Sequence, residues 1–468
     1  MVSMIPFGLL AGFAGDREIR ITKLDETGFG FRLCKENQMM ASGNTKAGKD
    51  KTKTGPQQLF RLCFYDLEKG EYNEVKISFY DLKKETDEPS EFYEKFWVFV
   101  NQPDYKQAVQ SLLRQYNRYI HLKLEEDDSG LAKNMTGYPG ELDQVRCESL
   151  EAQMQIWDEE VQAVVSEATS DGKEIWKKLN AELALELDHT EMYADYLRLS
   201  FAEFLKKYAE NSIGICKKLL QSERKPKWLY IGNQFCHLLF PERKLLFEII
   251  EKAAAEQVEI TLVFSYIREY MLDYITELLD EINRWCEEKR QSVEIVVNDW
   301  GMASLVKKSR RNLISSLGIL LNKRRKDPRI PFKKGEQKWF ERNSLNAGFY
   351  RDFLEREYGI QRFEWESCGY EQQIPPGKNS LHIPFYQTNT SQYCPLGAVC
   401  ETGERGRQKL AKKCPGYCAE YALLYPEHLH MMGRYNSLFG IDMRILKEEE
   451  ILENYIQNGV DRVVIRAW

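Results

Sequence analysis

The sequence predicts a multidomain protein of mixed α+β and α/β class. It reads as a small β-barrel over residues 1–140, a helical connector over 141–222, and a (β/α) barrel-like domain with a cysteine-rich C-terminal segment over 223–468. Three observations predict this. The first stretch alternates short β-type runs with turn-rich and charged segments, and the middle stretch places apolar residues at threes and fours. The last stretch alternates apolar strands with amphipathic helices. At 468 residues, with 43% hydrophobic and 29% charged side chains, the chain can fill more than one core and falls outside disordered compositions.

In the first region the β-type runs are Glu18–Leu24, Gly28–Leu33, Gln58–Tyr65, Glu74–Tyr80 and Phe96–Asn101. The polar, glycine-bearing stretch Ala41–Pro56 has almost nothing to bury and reads as a mobile loop. Tyr105–Tyr119 carries Ala108, Leu112, Leu113 and Tyr116 at helical spacing, enough to lay one helix on the barrel. The middle region repeats Leu150, Met154, Trp157, Val161 and Val164. Within it, Asp188-His189 reads as a surface pair near a helix end, because no second catalytic group is identifiable nearby.

The third region opens on the strand Trp228–Gly232. The helix Arg243–Gln257, the strand Glu259–Phe264, the helix Glu269–Lys289 and the strand Val293–Val297 follow. Such alternation argues for parallel βαβ units, and in a barrel the residues just past the strands line the site. That places Gly232–Cys236, Ser265-Tyr266 and Asn298-Asp299-Trp300 on one face. Asp299 there is a candidate general base and Trp300 a candidate stacking surface. The competing reading makes Asp299 the cap of the next helix and Trp300 a packing residue.

Lys+Arg 66 against Asp+Glu 72 leaves a net charge of −6, so overall attraction to nucleic acid or anionic membrane is excluded and any such partner must use a local patch. One exists in Lys307–Lys334, which holds eleven basic residues and one acidic residue, Asp327. It suits RNA or another polyanion, although solvated loop is the ordinary reading of a charge run. No apolar run approaches the ~20 residues of a membrane span. The Met1–Gly15 run lacks a basic flank for a cleaved signal. The expectation is a cytoplasmic protein.

In a reducing compartment, eleven cysteines are metal ligands or reactive thiols before they are disulfides. Cys394, Cys400, Cys414 and Cys418 are separated by five, thirteen and three residues, a clustering that suits an iron–sulfur centre, with zinc as the alternative. Cys34, Cys63, Cys147, Cys216, Cys286 and Cys368 fit ordinary buried cysteines.

With Trp228–Cys236, the strand 259–264, Asn298–Gly301, Leu320–Lys323 and the later cysteine before Cys-x-x-x-Cys on the page, the region 225–468 resembles the collagenase-type peptidase family numbered U-thirty-two. The resemblance implies a [4Fe-4S] cluster and oxygen-independent hydroxylation or a related modification of a small aromatic or RNA substrate, by an enzyme or by a subunit paired with a related U-thirty-two-like chain. No Ser/His/Asp or metalloprotease pattern supports proteolysis. Carried over, the family's ligands match Cys236, Cys394 or Cys400, Cys414 and Cys418. Cys400 has the better distance to Cys414, and Cys394 the better position after the Tyr386–Tyr393 run; we favour Cys394.

Arg17-Glu-Ile-Arg20 followed by Asp25-Glu-Thr-Gly28 is similar to a degenerate PilZ-type start, which implies a PilZ-like barrel and cyclic di-GMP as a ligand held by Arg17, Arg20, Asp25 and Gly28. The arginines stand one residue too close together, and no serine matches the family pattern. The alternative function is therefore a non-catalytic, cyclic-di-GMP-binding or redox-sensing regulator.

Overall fold

The computed structural model describes residues 2–3, 9–15, 17–34, 59–66, 71–85, 93–124, 146–167, 180–222, 224–308, 310–324, 341–425 and 430–467. The predicted loop Ala41–Pro56 lies outside them. Two compact units divide the chain. One is Met1–Gln144 with 332–339 and 347–350; the other is Val145–Pro331 with 340–346 and 351–468.

The first unit is antiparallel throughout. Its strands are β1 (Val2–Ser3), β2 (Leu10–Ala14), β3 (Arg17–Asp25), β4 (Gly28–Cys34), β5 (Phe60–Asp66), β6 (Glu71–Ile77), β7 (Asp81–Glu85) and β8 (Tyr93–Phe99). They run in the order β6-β5-β2-β3-β4-β8-β7, with β1 added on β3. The expected closed small barrel is thus corrected to an eight-stranded sheet whose end strands β6 and β7 do not pair among the described residues. In β5, Phe60, Leu62 and Phe64 are buried and alternate with half-buried Arg61 and Cys63, the period of a one-faced strand. They join Phe29, Phe31 and Phe96 in one core. The helix Pro103–Leu124 lays Tyr105, Val109 and Leu112 onto that core, and the Tyr105 hydroxyl donates to the Asp25 carbonyl at 2.8 Å.

In the second unit, β9 (Arg146–Ser149) precedes the helix Leu150–Glu167 and β10 (Glu182–Leu187). β11 (Trp228–Gly232), β12 (Glu259–Val263), β13 (Val293–Val297), β14 (Leu313–Leu317), β15 (Arg362–Glu366), β16 (Lys378–Ile383) and β21 (Arg462–Ile465) join β10 in a closed barrel. All its pairings are parallel. Between β16 and β21 the chain forms β17 (Phe385–Thr390), β18 (Tyr421–Leu424), β19 (Met431–Arg434) and β20 (Ser437–Ile441). With β9 these make a five-stranded antiparallel sheet ordered β17-β20-β19-β18-β9. No described helix is long and apolar enough to cross a membrane.

The connector expected to be helical over 141–222 is corrected: it holds β9 and the first barrel strand, β10. The reason is local. Glu-Leu-Ala-Leu-Glu-Leu is built from strong helix formers, but pairing with β11 and β21 on either side overrides propensity.

The barrel interior combines an apolar layer of Ala184, Tyr230, Val263, Val296 and Val464 with charged side chains unusual for such a core. Glu186, Glu364, Glu366, Arg362, His382 and Arg462 are all buried and alternate along their strands with outward apolar residues such as Leu185, Phe363 and Val463. His382 reaches both Glu186 and Glu364, which lie on strands that are not neighbours in the barrel, so these side chains cross the lumen.

Candidate functional site

At the strand C-termini a knot of side chains ties successive loops. Gln234 accepts from the Ile319 amide at 3.1 Å. Asn298 donates to the Phe264 carbonyl at 2.8 Å and accepts from the Leu320 amide at 2.9 Å. Gly232, at φ +116°, starts the first of these loops, and a Cβ there would stand 2.2 Å from the Val263 carbonyl oxygen, so no other residue fits the approach.

The knot fixes the loop that carries Cys236. Cys236, Cys394, Cys414 and Cys418 all lie within electrostatic range of one another. They come from the β11 loop, the start of the helix Pro395–Thr402, and the segment before β18. Backbone amides face several of the sulfurs. Leu238 and Leu239 serve Cys236, Gly397 donates to Cys394 at 3.2 Å, and Gly416 donates to Cys414 at 3.4 Å. Burial, aided by its cysteine neighbours and opposed by the amides, pushes the Cys236 thiol up to about 12. Burial also raises Cys418, opposed by the Arg434 guanidinium. Cys400, on the same helix as Cys394, is half-buried and interacts with Tyr417. Among the described residues, no three His, Cys, Asp or Glu side chains converge tightly enough to hold a single metal ion.

A groove of about 1000 Å³ runs past Cys414. Tyr266, Tyr270, Tyr274 and Phe240 supply its aromatic wall, and Arg243, Lys244, Lys412 and Lys413 its cations. His237 also lines it, with Nε2 2.9 Å from the Tyr270 hydroxyl. Burial, together with the Arg268 charge, lowers the His237 imidazole to about 4, so it is neutral near pH 7 and presents a hydrogen-bonding nitrogen rather than a charge.

Asp299 and Trp300 do not line this groove. One Asp299 oxygen accepts from the Met302 amide and caps the helix Trp300–Lys307; the other accepts from the Ile267 amide, both at 2.8 Å. Trp300 is 39% exposed and packs against Tyr358 at 5.1 Å.

The arginines of the dinucleotide pattern and its Asp-Gly pair are drawn apart along β3. Arg17 and Asp25 stand at its two ends, roughly 26 Å apart at about 3.3 Å per residue. Arg20 is half-buried beside Arg32. Asp25 accepts from the amide and hydroxyl of Thr27, and a Cβ on Gly28 would stand 2.0 Å from the Val98 carbonyl oxygen. Asp25 and Gly28 thus build the β3–β4 turn.

Within the basic run, residues 325–334 lie outside the described ones. Of the remainder, Arg310 is buried against Asp280, and Arg324 pairs with buried Glu366 at 2.8 Å. Lys307 donates to the carbonyls of Arg356 and Glu357 at 2.7 Å. These three serve the fold rather than a continuous cationic surface.

Asp188-His189, expected as a surface pair near a helix end, is corrected to a buried pair at the end of β10. Asp188 is 1% exposed, one of its oxygens 2.7 Å from His189 Nδ1 and the other accepting from the Tyr435 hydroxyl. The signal that could have found it is the alternation in Glu182–Asp188, which marks a strand ending on a polar pair.

The fold and site define an eight-stranded parallel (β/α) barrel with a cysteine cluster at its C-terminal mouth. Comparison with known protein families, curated proteins and solved structures yields no match.

Proposed function

We propose that the second unit is a [4Fe-4S] protein that modifies an aromatic ring, a base of RNA in particular, by oxygen-independent hydroxylation or a related reaction. The observation that carries this reading is the mutual approach of Cys236, Cys394, Cys414 and Cys418 at the barrel mouth. A [4Fe-4S] cubane is held by four thiolates, the number this set supplies. Crowded neutral thiols become thiolates when a cationic centre compensates them, and the amides on three of the four sulfurs stabilise that form.

When bound, the cluster would supply a redox-active centre beside the groove. The chain's own part is to bind and orient the substrate. Tyr266, Tyr270 and Tyr274 offer faces for a planar ring, Lys412, Lys413 and Arg243 offer charge to phosphates, and His237 offers a neutral hydrogen-bonding nitrogen.

Iron and sulfide analysis of anaerobically purified wild type, Cys394→Ser and Cys400→Ser proteins tests the reading. The expectation is about four irons and four sulfides in the wild type and in Cys400→Ser, with loss in Cys394→Ser. Zinc alone, or no metal, in the wild type sinks it.

A further inference from the structure

A second groove, of about 800 Å³, shares no lining residue with the one beside Cys414. Arg434 and His189 stand in its wall with Leu150, Met192 and Tyr421. Arg434 is 3% exposed. Its Nε donates to the Cys418 carbonyl at 2.9 Å, and its plane lies over Tyr435 at 4.8 Å. Its two terminal nitrogens find no acceptor among the described residues. The terminal nitrogens are not sealed from the groove, the buried Asp188 carboxylate offsets part of the charge, and a planar fork of this kind matches a carboxylate or phosphate.

His189 is 7% exposed. Its Nδ1 is held by the Asp188 carboxylate at 2.7 Å, which leaves Nε2 on the groove side, 3.8 Å from Glu191. The other cations in the wall are spoken for, since Arg198 and Lys207 both pair with Asp195, at 2.7 and 2.5 Å. Glu151, Glu191 and Glu420 are exposed in the lining and repel a polyanion, which separates this groove from the cationic, aromatic one.

We propose that this groove binds a small molecule with a single anionic head, carboxylate or phosphate, held by Arg434, and a hydroxyl hydrogen-bonded to His189 Nε2. Its volume suits such a ligand. Leu150, Met192 and Tyr421 give the ligand's body an apolar wall.

The test is calorimetric titration of the full-length, anaerobically purified protein with two probes, mandelate and phenyl phosphate. One or both bind in the millimolar range, and the tighter identifies the head. Arg434→Gln weakens that probe by about tenfold or more, and His189→Ala by about fivefold. No binding of either probe at tens of millimolar overturns the proposal, as does unchanged affinity in an Arg434→Gln protein that melts like the wild type. Should Arg434→Gln fail to fold, unchanged affinity in His189→Ala overturns it. The readout is binding, so a preparation that binds probe but holds no iron refutes the cluster reading alone.

Discussion

His382 Nε2 lies 2.9 Å from a carboxylate oxygen of Glu364, with both side chains fully buried in the barrel lumen. His382 Nδ1 stands 3.1 Å from Glu186 on β10, two strands away around the barrel. Glu186 in turn accepts from Arg466 at 2.8 Å, and Glu366 takes Arg324. Glu186 and Glu364 thus share His382, so a second proton on His382 compensates two buried carboxylates at once.

Stability should therefore peak in mildly acid solution. Burial opposes the charge of His382, but its hydrogen bonds to the Glu186 and Glu364 carboxylates overcome it and raise the imidazole above 6.5. Its contribution is full below 6.5 and lost as pH rises through the raised folded value. Glu186 and Glu364 lie below 4.5 despite their burial, through Arg466 and His382 for the first and His382 and Ser316 for the second. Their contribution is full above 4.5 and lost as pH falls through the lowered value. Denaturant unfolding from pH 4 to 9 is expected to fall off on both sides of that window. His382→Gln should cost roughly 3–5 kcal/mol and flatten the alkaline limb; an unchanged limb would show that His382 is neutral in the fold.

If the proposed cluster is present, removing it should loosen the second unit selectively. The cysteines proposed to hold it join the β11 loop to the segment before β18, so metal binding would be coupled to folding there. Treatment with an iron chelator is expected to lower the melting transition of this unit and leave that of the antiparallel unit in place. A single transition that does not move on iron removal counts against cross-linking by the cluster.

Asp299→Ala should behave as a lost helix cap. Both carboxylate oxygens already hold backbone amides, so the expected cost is about 0.5–2 kcal/mol, with iron content retained and Asp299→Ser intermediate. If Asp299→Ala abolishes modification while the stability is unaltered, the residue is catalytic instead.

Binding of a short single-stranded RNA should depend on both walls of the groove beside Cys414. Tyr270→Ala is expected to cost about 1–3 kcal/mol through lost stacking. Lys412→Ala with Lys413→Ala should flatten the dependence of affinity on salt. Fluorescence anisotropy at several salt concentrations measures both effects, and equal slopes for variant and wild type would remove the lysines from the interface.

The strands Trp228–Gly232 and Val293–Val297 and the helices after them were legible because dense apolar runs between polar turns admit few other structures. β10 was not. Its six residues favour helix locally, and only pairing on both edges makes them a strand. The same error hid Asp188 and His189, which look like a surface dipeptide until β10 carries them to the mouth.

The sequence by itself determined the alternation of strands and helices, the thiols available to a cluster, and the absence of net positive charge. Those are properties of residue type and short-range period. Tertiary structure alone decided that Cys236 stands within electrostatic range of Cys394, Cys414 and Cys418, that Asp299 caps a helix, and that charged residues enter the lumen. Each depends on groups brought together by barrel closure, and no local period records which distant strand will stand opposite.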